Sequence, residues 1–200
     1  MKEHNTITDP YLHEPKGVAT ANAKEVYIAD GLGSGSWTNP ADQLVVERLL
    51  DASSTAANQL PAGLGTPLQV EFGPAVGTGS DPVQLSAAGL LTVNEAGTYI
   101  LKVSVQVGRT GAIGTSLLFL RALVNGVQAG RSIAFKLENS NNLTNFSDVT
   151  LLTLPVPGTT IKYEIIRDST GANFGGLFQA TSADGWNSSP SAALRVERLV

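Results

Sequence analysis

Cysteine is absent from this chain of 200 residues. No disulfide framework and no thiolate metal site can be built from it, and the redox compartment cannot be read from cysteine usage. Histidine occurs only as His4 and His13, both in one polar N-terminal segment, and two such imidazoles do not make a metal site. Charge is scarce: Asp, Glu, Lys and Arg make up 15% of the chain, against roughly 25% in ordinary globular proteins. The balance is acidic, with a net charge of −4 and no Lys/Arg cluster. Nucleic-acid binding therefore has no electrostatic footing. No apolar run approaches the ~20 residues of a membrane span. The opening "MKEHNTITDP" lacks the apolar run of a signal peptide, so the expectation is synthesis in the cytosol and, if the protein leaves, exit by another route.

Catalytic signatures are missing too. There is no H-E-x-x-H, no Walker loop and no G-x-S-x-G. "GLGSGS" (31–36) resembles a phosphate loop only in composition. It has no lysine, and no helix-forming run follows to offer its N-terminus. The 17 acidic residues are scattered, without the spacing of a calcium loop. The expectation is a non-enzyme with no cofactor and no metal.

What is present favours strands and turns. Gly (21) and Pro (10) are plentiful, and apolar residues make up 42%, enough for a core. The chain reads as one domain with an appendage. Residues 1–40, punctuated by Pro10, Pro15 and Pro40, form an extended arm whose only strand-like run is "KEVYIAD", followed by a flexible Gly-Ser joint before Trp37. Such an arm cannot fold alone but can order on a partner. Val26 and Ile28 lie in a segment able to add to a partner's sheet edge. Tyr27 and Trp37 are suited to fill pockets as anchors.

From residue 41 onward the pattern is all-β. The runs 68–72, 90–94, 97–107, 116–124, 127–137, 146–154, 160–168 and 192–200 read as strands. In the clearest, Tyr99, Leu101, Val103, Val105 and Val107 share one face and Ile100, Lys102, Ser104 and Gln106 the other. Asn125-Gly126 between two apolar runs predicts a type I′ hairpin. "NPADQLVVERLL" has a helix-start signature, yet Val46-Glu47-Arg48-Leu49-Leu50 nearly repeats as Val196-Glu197-Arg198-Leu199-Val200. The echo predicts two neighbouring antiparallel strands whose Glu and Arg residues pair. Phe174, Phe178 and Trp186 lie in loop-like sequence; each either plugs the end of the sandwich or a subunit contact, or serves as a loop-tip aromatic for sugars.

"LSAAGLLTVNEAGTYILKVSV" (85–105), "LRALVNGV", "LPVPGTTIKYEI" and the terminal "AALRVERLV" resemble, in order, the tumour-necrosis-factor-like and complement-head jelly rolls over residues 44–200. The resemblance implies a ten-strand jelly-roll sandwich that trimerises through its inner sheet, with Tyr99, Leu101, Val103, Val105, Val107 and Val196 at that sheet and interface. The arm resembles an N-terminal segment of tailed-bacteriophage virion proteins at Asp9, Pro10, His13, Glu14, Pro15, Lys16, Gly17, Tyr27, Gly33, Gly35 and Trp37. This implies a virion component: a homotrimeric capsid decoration (cement) or head-fibre protein whose arm binds the phage major capsid protein or another virion protein. The alternative is a tail-fibre or receptor-binding head that recognises host glycans. Neither reading involves nucleic acid or a membrane.

Overall fold

The computed structural model describes residues 21–29, 35–39, 45–109, 113–138 and 143–200. It divides into two compact units, residues 1–45 with Val200 and residues 46–199. In the first unit, β1 (Val26–Ala29) and β2 (Gly35–Thr38) pair antiparallel, with Tyr27 opposite Trp37. The sequence predicts one strand and a loose Gly-Ser joint; the described part of the arm is instead a hairpin. Gly35 shows why. A Cβ there would sit 2.2 Å from the carbonyl oxygen of Ile28, so the glycine permits close strand approach rather than slack.

The second unit holds twelve strands among its described residues: β3 (Val46–Ser53), β4 (Asn58–Gln59), β5 (Leu68–Gln69), β6 (Val83–Leu85), β7 (Leu91–Val93), β8 (Gly97–Gly108), β9 (Ser116–Val124), β10 (Val127–Leu137), β11 (Leu143–Leu154), β12 (Thr159–Arg167), β13 (Gly176–Phe178) and β14 (Ala192–Leu199). They form two antiparallel sheets. One runs β10-β9-β12-β7-β6, with β5 also on β12. In the other, β8 is central. β11 lies along one edge of it, β14 and then β3 along the other, and β13 with β4 extends that second edge past β14. The unit's first and last long strands are neighbours, and the arrangement is a jelly-roll β-sandwich.

The core lies between the sheets. Leu101, Val103, Leu118, Leu120, Ile161, Ile165, Leu194 and Val196 are buried there, and Phe72 meets Tyr163 edge-to-face at 5.8 Å. The Asn125-Gly126 turn takes positive φ at both residues, 49° and 79°, as a type I′ hairpin requires. β4, β6 and β13 escape sequence reading because two or three residues cannot display a period.

The echoed pentapeptides are both strands, and no helix begins at Val46; residues 40–44 lie outside the described ones. Glu197 opposes Arg48 and Arg198 opposes Glu47, with a bulge at Val196/Glu197. The predicted Glu–Arg ion pairs do not form, however. Glu197 takes Lys102 of β8 at 2.7 Å, and Arg198 pairs with Glu95. Register brings the backbones together, but the charges find other partners: Glu197 a diagonal neighbour on β8 and Arg198 a residue just ahead of that strand.

Candidate interaction surfaces

The row Tyr99, Leu101, Val103, Val105 and Val107, with Val196, does lie on the sheet implied by the resemblance. It is not an interface. These side chains are only 0–3% exposed and face the opposite sheet within the same chain. A surface already used for the core cannot also contact another copy, so the interface expectation for these six residues is corrected.

The opposite face of that sheet is open. Ladder partners in antiparallel strands put their side chains on the same side, so the register defines the rows. Leu151 lies opposite Ile100 and Val149 opposite Lys102. Lys102 lies opposite Arg195, and Thr98 opposite Leu199, which itself opposes Val46. The polar groups satisfy one another: Ser104 with Ser147 at 2.8 Å, Thr98 with Thr153 at 3.2 Å, and Arg195 with Asp51 at 2.8 Å. Ile100 and Leu199 are half-buried, and the other apolar groups are left bare. Val149 is 64% and Leu151 62% exposed, and Leu143 and Val46 are exposed as well. β11 pairs with β8 alone among the described residues, which leaves a twelve-residue strand with an unpaired edge. Long apolar edges of this kind invite association.

β11 also presents an inner row, and part of it is polar. Asp148 lies opposite the buried Val103, and Thr150 opposite the buried Leu101. Both therefore face between the sheets. Here the sandwich gapes into a cleft of about 290 Å³, lined by Val103, Leu120, Ile133, Phe146, Leu152 and Tyr163 together with Arg131, Asp148 and Thr150. On the other wall, the β10–β9 register slips between Ala129 and Ile133, and Gly130 turns to φ 72°. That bulge diverts β10 from its partner. Phe135 and Phe146 bridge the sheets at 5.6 Å beside it.

Tyr163 is buried, which pushes its phenol up to about 12, with the Asp148 carboxylate acting in the same direction. A pKa raised in the fold stabilises it fully below the unfolded value of about 10, and that stability is lost as pH rises toward 12. Chemical denaturation should show stability falling between pH 10 and 12 in the wild type. Tyr163→Phe should flatten that fall; an unchanged pH slope in the variant would refute the assignment.

In the first unit, Tyr27 and Trp37 are half-buried against each other, edge-to-face at 5.5 Å. They act as one aromatic pair rather than two separate anchors. Val26 and Ile28 remain exposed. β2 occupies one edge of β1, leaving a single edge for any further strand. His13, Glu14, Pro15, Lys16 and Gly17 lie outside the described residues.

Trp186 is 79% exposed, in a loop closed by the Ala180–Ser189 bridge. It does not plug its own sandwich, so that reading is corrected; the turn-rich "SADGWNSSPS" carries the ring outward. Phe174 is exposed in the β12–β13 connection. Phe178 is half-buried in β13, where its carbonyl accepts a hydrogen bond from Gln106 Nε2 at 2.8 Å. Among the described residues no group of three or more His, Asp or Glu is placed to hold a metal.

No family model matches the chain, and no curated protein matches it. Solved structures do. The Eiger TNF of S. frugiperda is 11% identical, covering 79% of this chain and 94% of that one at a TM-score of 0.47. The globular domain of the zebrafish complement 1qA protein is 14% identical, covering 75% and 93% at 0.39. A chain of infectious bursal disease virus, Gt strain, is 13% identical, covering 86% of this chain and 35% of that one at 0.42. The jelly-roll assignment rests on the strand order itself.

Proposed function

We propose that this chain is a non-catalytic structural virion protein: a homotrimeric capsid decoration or head-fibre protein of a tailed phage, attached to the major capsid protein or another virion protein through its N-terminal arm. The observation carrying this reading is the set of exposed aliphatic side chains Leu143, Val149, Leu151 and Val46 on the outward face, beside the unpaired edge of β11. In a lone chain such a surface is a liability. Between copies it is a contact, and burying each large aliphatic side chain contributes roughly 1.5–3 kcal/mol. The arm supports attachment. Its described part is a small hairpin with few aliphatics, and the linking of three arms turns modest individual docking into strong attachment.

A second reading, a tail-fibre or receptor-binding head for host glycans, is favoured by one feature, the outward Trp186. Reconstruction of the intact particle separates the two. The decoration reading expects density for the jelly roll in many copies over the shell. Density confined to one vertex, or none on the shell, would overturn it.

A further inference from the structure

The outward face of the β8 sheet changes character along its length. Toward Val46 and Leu199 its ladder pairs carry aliphatic groups: Ile100 with Leu151, Lys102 with Val149. Toward the opposite end they are neutral and polar: Ser104 with Ser147, Gln106 with Asn145. There a cleft of about 320 Å³ opens, lined by Ser104, Gln106, Asn145, Ser147, Ser189 and Pro190. Among the described residues no charged side chain lines it. The edge cleft, by contrast, holds Arg131 and Asp148, and a groove on the outer side of the other sheet holds Arg121, Glu164 and Asp168.

The hydrogen-bonding capacity of this neutral cleft is not used up. Gln106 is only 5% exposed. Its Nε2 donates to the Phe178 carbonyl at 2.8 Å, which fixes where its oxygen points. That oxygen receives only the Ser189 hydroxyl, at 3.5 Å, the outer limit of a hydrogen bond. Asn145, its exposed register partner, has a side-chain amide with no hydrogen bond among the described residues. Ser104 and Ser147 bond each other at 2.8 Å, and one of the two hydroxyl hydrogens is left to donate elsewhere. Ser189 also closes the loop from Ala180, by backbone bonds of 2.8 and 3.1 Å, and the same loop carries the outward Trp186.

We propose that this cleft binds a neutral saccharide. The ligand is uncharged because no ionic group lines the cleft to meet a charge. It carries several hydroxyls, because each hydroxyl donates and accepts at once. One such group donates to the Gln106 oxygen, the next exchanges bonds with the Asn145 amide, and a third accepts from the Ser104–Ser147 pair. A few convergent polar groups of this kind fix a ligand's orientation. Trp186, three residues before Ser189, offers its ring to the apolar C–H face of a sugar. A covering protein surface suits this end poorly, since it would leave the Asn145 amide and the Gln106 oxygen desolvated and unpaired. The aliphatic end of the same face loses nothing by being covered. The site shares only its ligand class with the second reading above. It goes beyond the decoration reading and holds wherever on a particle the chain sits, because nothing in it uses the arm.

The test is calorimetric titration of the full chain with glucose, galactose, mannose and N-acetylglucosamine, and with glucuronic acid and glucosamine as charged counterparts. At least one neutral sugar is expected to bind with a Kd on the order of 1 mM, and the charged counterparts about tenfold more weakly. Asn145→Ala is expected to weaken that binding about fivefold and Trp186→Ala about tenfold. Thr153→Ala, on the same face at its other end, should leave it unchanged. No binding by any neutral sugar up to about 50 mM overturns the proposal, as does a charged sugar bound more tightly than every neutral one. Undiminished binding by Asn145→Ala, or equal weakening by Thr153→Ala, overturns the placement in this cleft. Circular dichroism checks each fold; if Asn145→Ala fails it, Ser147→Ala takes its place with the same expectation. Sedimentation of the same samples reads the trimer separately, so a trimer that binds no sugar overturns the site alone.

Discussion

Leu151→Arg protein is expected to sediment as a single folded chain where the wild type sediments as three. Leu151 lies on the outward row of β11, opposite Ile100 and two residues from Val149. In a lone chain an arginine there stands in water and costs the fold little. In an assembly that covers this face it is taken out of water, and a buried charge left unpaired costs several kcal/mol. Since each 1.4 kcal/mol is tenfold in an equilibrium constant, assembly should weaken by about a thousandfold. Val127→Arg is the control. Val127 is also apolar and exposed, but it lies at the β9–β10 hairpin, on the other sheet, and its substitution should leave the mass unchanged. Light scattering that finds Leu151→Arg as trimeric as wild type would remove the outward face from the contact.

Deleting residues 1–38 is expected to leave a folded trimer that no longer binds the particle. The cut removes the whole β1–β2 hairpin and ends before the sandwich strands begin at Val46. Among the described residues no buried core residue is lost, since their core starts at Leu50. What is lost is the Tyr27–Trp37 pair with the exposed Val26 and Ile28. Burying such side chains is worth roughly 1.5–3 kcal/mol each before ordering costs. With three arms linked, Trp37→Ala should weaken attachment severalfold more in the trimer than in a single-arm peptide. Co-sedimentation with particles lacking the protein measures all three forms. Wild-type occupancy by the truncated trimer would move the anchor to the jelly roll.

The long strands were legible because period-2 alternation in β8 and the Asn125-Gly126 turn are local signals, and both appear in the structure as read. The interaction surfaces were not. Alternation in β8 identifies the buried row, and a buried row is core; the surface for partners is what that pattern leaves over. β11 hides more. Val149 and Leu151 look like the inward set against Asp148 and Thr150, yet Phe146 and Leu152 on the other parity turn the strand around. A strand with apolar residues on both faces has no single reading until its neighbours are placed. The second arm strand was missed for a different reason: Gly35 signals looseness in sequence and close backbone approach in three dimensions.

The pairing of β3 with β14 has a mechanical consequence. Val46 and Leu199 are register partners, so the chain enters and leaves the sandwich at the same end of two adjacent antiparallel strands. Tension applied across these two points opens their ladder one hydrogen bond at a time, as a zipper opens, instead of shearing the whole ladder at once. A load or cargo attached at Val200 and resisted at the arm is therefore borne by the seam between the first and last sandwich strands, and the layers behind it are spared until that seam has yielded.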